Sequence, residues 1–172
     1  LSVYTTNSVT KFLAGILLLI ISFAAPALTI LTQNMAEISD GDPNRIAELL
    51  GLLAHENPDV LFLQEAEDET LKQIQRLPAL KEYRSIYLMR GNAPSSGLVT
   101  LVKRNIEVVK MEFLPLPSEM GRGFLLTTIN SCGDSITLID LHLESPDPIF
   151  WKNRKFRHQQ IERLKEIVDE RK

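Results

Sequence analysis

Three polar side chains sit at the ends of, or inside, apolar strand-like runs, where a rigid sheet holds a reactive group beside an open loop. Glu65 closes DVLFLQE, Asn34 closes LTILTQN, and His142 lies in ITLIDLHLES, which ends in Glu144 and Ser145. A carboxylate at a strand tip can hold Mg²⁺, which is commonly bound through one or two carboxylates plus phosphate and water. An amide at Asn34 can orient a phosphate oxygen or a metal-bound water. A histidine in His142's position can donate to a phosphoryl oxygen and steady the charge that develops in a transition state. Each residue also has an ordinary use: Glu65 as a solvated loop charge beside Glu67, Asp68 and Glu69, Asn34 as a turn or cap, His142 as a satisfied core histidine. Their joint occurrence is the stronger observation. Asn34 and Glu65 end strands that a single crossover helix joins, which places them side by side.

The elements that must position these groups follow from periodicity. Leu28–Leu31 begins a strand; Asp42 and Pro43 open a helix over Asn44–Glu56, with Ile46, Leu49, Leu50 and Leu53 at helical spacing, and Asn57-Pro58 stops it. Asp59–Glu65 is a nearly continuous apolar strand, the kind buried on both faces. A shorter helix covers Glu67–Leu77. Five short segments, Tyr83–Met89, Gly97–Lys103, Glu107–Phe113, Phe124–Asn130 and Ser135–Leu143, then read as one meander, with Cys132-Gly133-Asp134 as its last hairpin turn. Asn153–Arg171 is helical, with Ile161, Leu164, Ile167 and Val168 on one face. This order argues for a layered α/β sandwich.

Composition bounds the function classes. The 172 residues are 44% hydrophobic and 24% charged, the balance of a globular domain. A net charge of −3 supplies no whole-chain pull on nucleic acid, and the one basic stripe is Lys152–His158. The single cysteine, Cys132, excludes an internal disulfide framework and a multi-cysteine zinc site. Residues 12–25 (FLAGILLLIISFAA) carry no charge, follow Lys11 and lead into Ala24, Ala25, Pro26 and Ala27. That is the pattern of a secretory signal peptide, with an uncleaved membrane anchor or a buried core helix as the other readings. Residues 1–27 are thus assigned to a leader or anchor and 28–172 to the folded domain. With a genuine leader the protein is secreted or membrane-associated; otherwise it is intracellular.

ILTQN (Ile30–Asn34), NRIAELLGLLAHENPDVLFLQE (Asn44–Glu65) and LIDLHLES (Leu138–Ser145) together resemble the endonuclease/exonuclease/phosphatase superfamily, and within it the tyrosyl-DNA phosphodiesterase 2-like branch. FLPLPSEMGRGFLLTTINSCGDSITLIDLHLES and the helix carrying Arg157 and Gln160 follow that branch's order of blocks. The resemblance implies a four-layer α/β/β/α sandwich of the deoxyribonuclease I type and a Mg²⁺- or Mn²⁺-dependent phosphodiester hydrolase. By it, Glu65 is the metal ligand with Asn34 beside metal and phosphate, His142 contacts the scissile phosphate, and Arg122 lies near that phosphate. Glu144 and Ser145 support them. The implied substrate is a phosphodiester of nucleic acid or of a phospholipid headgroup, with possible membrane contact through residues 12–25, and the protein is expected to be a monomer. The family's later blocks, a GD-x-N strand end and a C-terminal SDH, do not follow the HLES block. The expectation is therefore an N-terminal half that is inactive alone and exposes an apolar sheet edge. A catalytically silent binding or membrane-associated domain is the alternative.

Overall fold

The computed structural model describes residues 27–36, 42–88, 97–118, 121–131, 133–144 and 151–171. The apolar run at 12–25, expected to be a leader or anchor, lies outside them, as do Cys132 and Ser145. In chain order the elements are β1 (Ile30–Asn34), α1 (Pro43–His55), β2 (Val60–Gln64), α2 (Asp68–Arg76), a 3₁₀ turn (Pro78–Leu80), β3 (Tyr83–Leu88), β4 (Leu98–Lys103), β5 (Glu107–Pro115), β6 (Gly123–Ser131), β7 (Asp134–Leu141) and α3 (Trp151–Asp169).

Local chemistry sets the first unit. Asp42 caps α1 by accepting from the Asn44 amide at 2.9 Å, and Pro43 takes the first helical position. This is the chain's GD-x-N tetrad, Gly41–Asn44, and its aspartate serves as a helix cap. The helix ends where Asn57 turns to φ 51° ahead of Pro58. α1 then returns the chain so that β1 and β2 run parallel, with Asn34 opposite Gln64.

The five later strands do not form one meander. β3 and β4 complete the first sheet, in the order β1-β2-β4-β3, and β5-β6-β7 form a second, antiparallel sheet. The reason lies in β4, whose LVTLV is buried at every position. A strand apolar on both faces belongs inside a sheet that is covered on both sides.

Three apolar layers hold the sandwich. Ile46, Leu50 and Ile74 of the two first helices pack on Leu61, Leu63, Val99 and Leu101. Val60, Leu98 and Val102 meet Leu125, Ile129 and Leu138 between the sheets. Ile167 of α3 covers Leu116, Phe124 and Leu126 on the far face of the second sheet. The result is the expected four-layer α/β/β/α order. Among the described residues β1, β3, β5 and β7 are sheet edges, and β5 leaves Val109 and Met111 each 54% exposed. No described helix is long and apolar enough to cross a membrane.

Candidate active site at the ends of β1, β2 and β7

β1 and β2 deliver Asn34 and Glu65 to the same edge of the first sheet, and β7 delivers His142 from the second. They meet on one atom. Glu65 Oε1 accepts from Asn34 Nδ2 at 3.3 Å, lies 3.1 Å from His142 Nε2 and 3.9 Å from an Arg122 nitrogen. Among the described residues Oε2 of the same carboxylate takes no hydrogen bond, which leaves one oxygen for an incoming group. Asn34 turns its oxygen to the Ala36 amide at 3.0 Å, an Asx turn that fixes the loop after β1.

Glu65 holds φ 52°, the left-handed region that a residue with a side chain occupies at a cost. The neighbouring backbone enforces it. Ala66 donates its amide to Gly97 O at 3.1 Å, and a Cβ at Gly97 would lie 2.1 Å from Ala66 O. Only glycine lets β4 start this close to the turn. Gly97→Ala is therefore expected to lower stability by about 1–3 kcal/mol through overpacking against fixed backbone. Urea unfolding measures it, and an unchanged midpoint would mean that the Ala66 turn yields freely.

Arg122 is buried, with its side chain only 2% exposed. A laced loop holds it there. Its amide donates to Ser118 Oγ at 3.0 Å, its carbonyl accepts from the Leu116 amide at 3.1 Å, and Gly121 before it sits at φ 73°. Ser118 in turn donates to Glu144 Oε2 at 2.5 Å. Gln160 of α3 closes the lacing, accepting from the Glu144 amide and donating to Pro117 O, both at 2.9 Å. Glu144 is therefore tied to the loop that carries Arg122.

The protonation of His142 follows from its neighbours. Arg122 Nη1, which can only donate, lies 2.6 Å from His142 Nδ1, so Nδ1 accepts and the ring proton sits on Nε2, aimed at Glu65. Burial, and then the Arg122 charge, push the imidazole below its ordinary range, against the opposite pull of Glu65 and Glu144. Arg122 is itself lowered by burial, with Glu65 and Glu144 opposing, but a guanidinium keeps its charge. Counting formal charges, Glu65, Glu144 and Arg122 leave the site at −1. A divalent cation and a singly charged phosphodiester together would bring it to zero.

The donor set fits a hard cation held lightly: a strand-tip carboxylate with one uncommitted oxygen, the kind of ligand such a cation takes together with water and phosphate. No cluster of three or more His, Cys, Asp or Glu that could cage a metal occurs among the described residues. His158 is exposed on α3.

One set of residues escaped the sequence reading. Gln64, just before Glu65, donates from Nε2 to Asp140 Oδ1 at 2.7 Å and to Thr32 Oγ1 at 3.1 Å, while Thr100 Oγ1 donates to Asp140 Oδ2 at 3.4 Å. The available signal was a polar residue at an inward position of each apolar strand, Asp140 within LIDLHL and Gln64 within VLFLQ.

The chain matches the endonuclease/exonuclease/phosphatase family over residues 31–169. Tyrosyl-DNA phosphodiesterase 2 of Xenopus laevis is 29% identical over 120 residues, covering 68% of this chain and 31% of that protein. The crystal structure of TDP2 from C. elegans superposes with a TM-score of 0.72 at 22% identity, over 95% of this chain and 49% of that one. The D. rerio TDP2 structure complexed with single-strand DNA product gives 0.68 at 20% identity, over 83% and 55%. The chain thus spans 31% of the curated relative and about half of these solved structures.

Proposed function

The chain belongs to the endonuclease/exonuclease/phosphatase family, and from that premise we propose that its site binds a divalent cation, Mg²⁺ or Mn²⁺, and grips a phosphodiester for hydrolysis by water. The observation that carries the reading is the convergence of Glu65, Asn34, His142 and Arg122 from two sheets onto one carboxylate oxygen. Glu65 would hold the cation through its uncommitted oxygen, with Asn34 orienting water or phosphate beside it. When bound, the cation would neutralise charge on the phosphoryl oxygens and lower the pKa of water. His142 would turn its Nε2 proton from Glu65 to a phosphate oxygen. Arg122, buried beneath it and unable to lose its charge, would hold that proton on Nε2 and steady the phosphate. The relatives named tyrosyl-DNA phosphodiesterase 2 support a nucleic-acid phosphodiester as substrate. If the apolar run at 12–25 is a leader, export or membrane attachment follows, and a phospholipid headgroup becomes the competing phosphodiester.

Binding is the first test. The chain is expected to take one Mn²⁺, read by calorimetry, and to hold it more tightly with inorganic phosphate present. Hydrolysis of bis(p-nitrophenyl) phosphate by the whole protein should stop on chelation and return with Mg²⁺ or Mn²⁺. No stoichiometric Mn²⁺ binding would remove the metal assignment. Binding without turnover by the whole protein would leave a silent binding domain.

A further inference from the structure

The layer between the sheets holds buried polar residues next to the site. On β2 the inward positions run Val60, Phe62, Gln64; on β7 they run Ile136, Leu138, Asp140; on β4 they include Leu98, Thr100 and Val102. A hydrogen-bonded patch interrupts this apolar layer, and its members, Gln64, Thr100 and Asp140, are 9%, 0% and 1% exposed. The next residues outward are Glu65 on the first sheet and, two along, His142 on the second. Apolar contacts between sheets are non-directional and fix register poorly. A buried polar pair is costly unless its partners meet, and its best-attested use is to set register.

We propose that Asp140 is a positioning residue: by taking the Gln64 hydrogen bond across the sheets it locks the strand that carries His142 to the strand that carries Glu65, and so sets their 3.1 Å approach. The proposal rests on the reading of Glu65 and His142 as one site. The bond is 2.7 Å long, spans both sheets, and lies next to Glu65 on one side and two residues from His142 on the other. Thr100 holds the second carboxyl oxygen and Thr32 holds the same Gln64 amide, so neither partner is free to rotate. Burial raises the Asp140 carboxyl to about 7, against the Gln64 and Thr100 hydrogen bonds that lower it. Its positioning depends on bonding geometry, which an asparagine reproduces: Oδ1 still accepts from Gln64, and the amide donates to Thr100 Oγ1.

The test compares the wild-type chain with Asp140→Leu and Asp140→Asn. Two readouts serve: the ¹⁵N signature of the His142 ring in the metal-free chain, and Mn²⁺ affinity. Of the three histidines, His55 and His158 are exposed and His142 is half-buried, so its ring is separable. Wild type and Asp140→Asn are expected to show one tautomer, protonated at Nε2, and matching affinity. Asp140→Leu should show a tautomer mixture and bind Mn²⁺ about 10- to 100-fold more weakly, the usual effect of losing an outer-sphere partner. If Asp140→Leu does not fold, Gln64→Met removes the same bond from the other sheet and is read in the same way. A wild-type tautomer in the leucine variant, or in Gln64→Met, overturns the proposal. So does an asparagine variant as impaired as leucine, since charge would then matter rather than geometry. Failure of the chain to bind any Mn²⁺ would count against the proposed function alone, because the tautomer readout needs no metal.

Discussion

Glu65→Gln is expected to lower metal-dependent phosphodiester hydrolysis by the whole protein at least a thousandfold while leaving the fold in place. A thousandfold corresponds to about 4 kcal/mol of barrier. The loss has two sources. A carboxamide retains an oxygen but no charge, so the one strand-tip carboxylate at the site no longer attracts a hard cation. The substitution also removes the more strongly acting of the two carboxylates that oppose the burial of Arg122. The fold should persist because the turn at residue 65 is set by Gly97 and Ala66 backbone, and the side chain is only partly buried at 19% exposure. His142→Ala should behave differently, reducing turnover with little change in Mn²⁺ affinity, since in the proposed roles the ring grips phosphate and Glu65 holds the cation. Parallel Mn²⁺ titration and rate measurement separate the two. Wild-type turnover by Glu65→Gln would remove the metal role, and equal loss of affinity in both variants would remove the division of labour.

What the sequence made legible was local. The cap and stop of α1 are written in Asp42, Pro43, Asn57 and Pro58, and the crossover rule alone places Asn34 beside Glu65. The family resemblance added Arg122, which no periodicity would have singled out: its value lies in being buried by the Ser118 and Gln160 lacing, a product of tertiary structure. The split of the later strands into two sheets was illegible because strand partners are chosen over long distances. β2 pairs with β4 and skips β3, and the only local hint is that LVTLV lacks alternation. The polar rung failed for the same reason. Gln64 and Asp140 are 76 residues apart, and each looks like an isolated exception until the sheets face each other.

That rung also predicts how stability depends on pH. Asp140 is raised from 3.8 to about 7 in the folded chain, chiefly by burial, and returns to an ordinary carboxyl when the chain unfolds. Between those values the folded state holds a proton that the unfolded state has released. Folding is therefore favoured at the acid end of the window and weakens as pH rises through about 7, by up to about 1.4 kcal/mol per pH unit. The whole interval corresponds to roughly 4 kcal/mol at most. Below the window both states are protonated; above it both are ionised and the buried charge is borne in full. This is opposite to the behaviour of a surface-paired carboxylate, which stabilises as pH rises. Asp140→Asn keeps the bonds and cannot titrate. Urea unfolding of both chains from pH 4.5 to 8.5 should show their stability difference moving in favour of the asparagine variant as pH increases. A difference that stays constant across that range would place Asp140 in an environment where its charge costs nothing, and the polar rung would then be wetter than its 1% exposure implies.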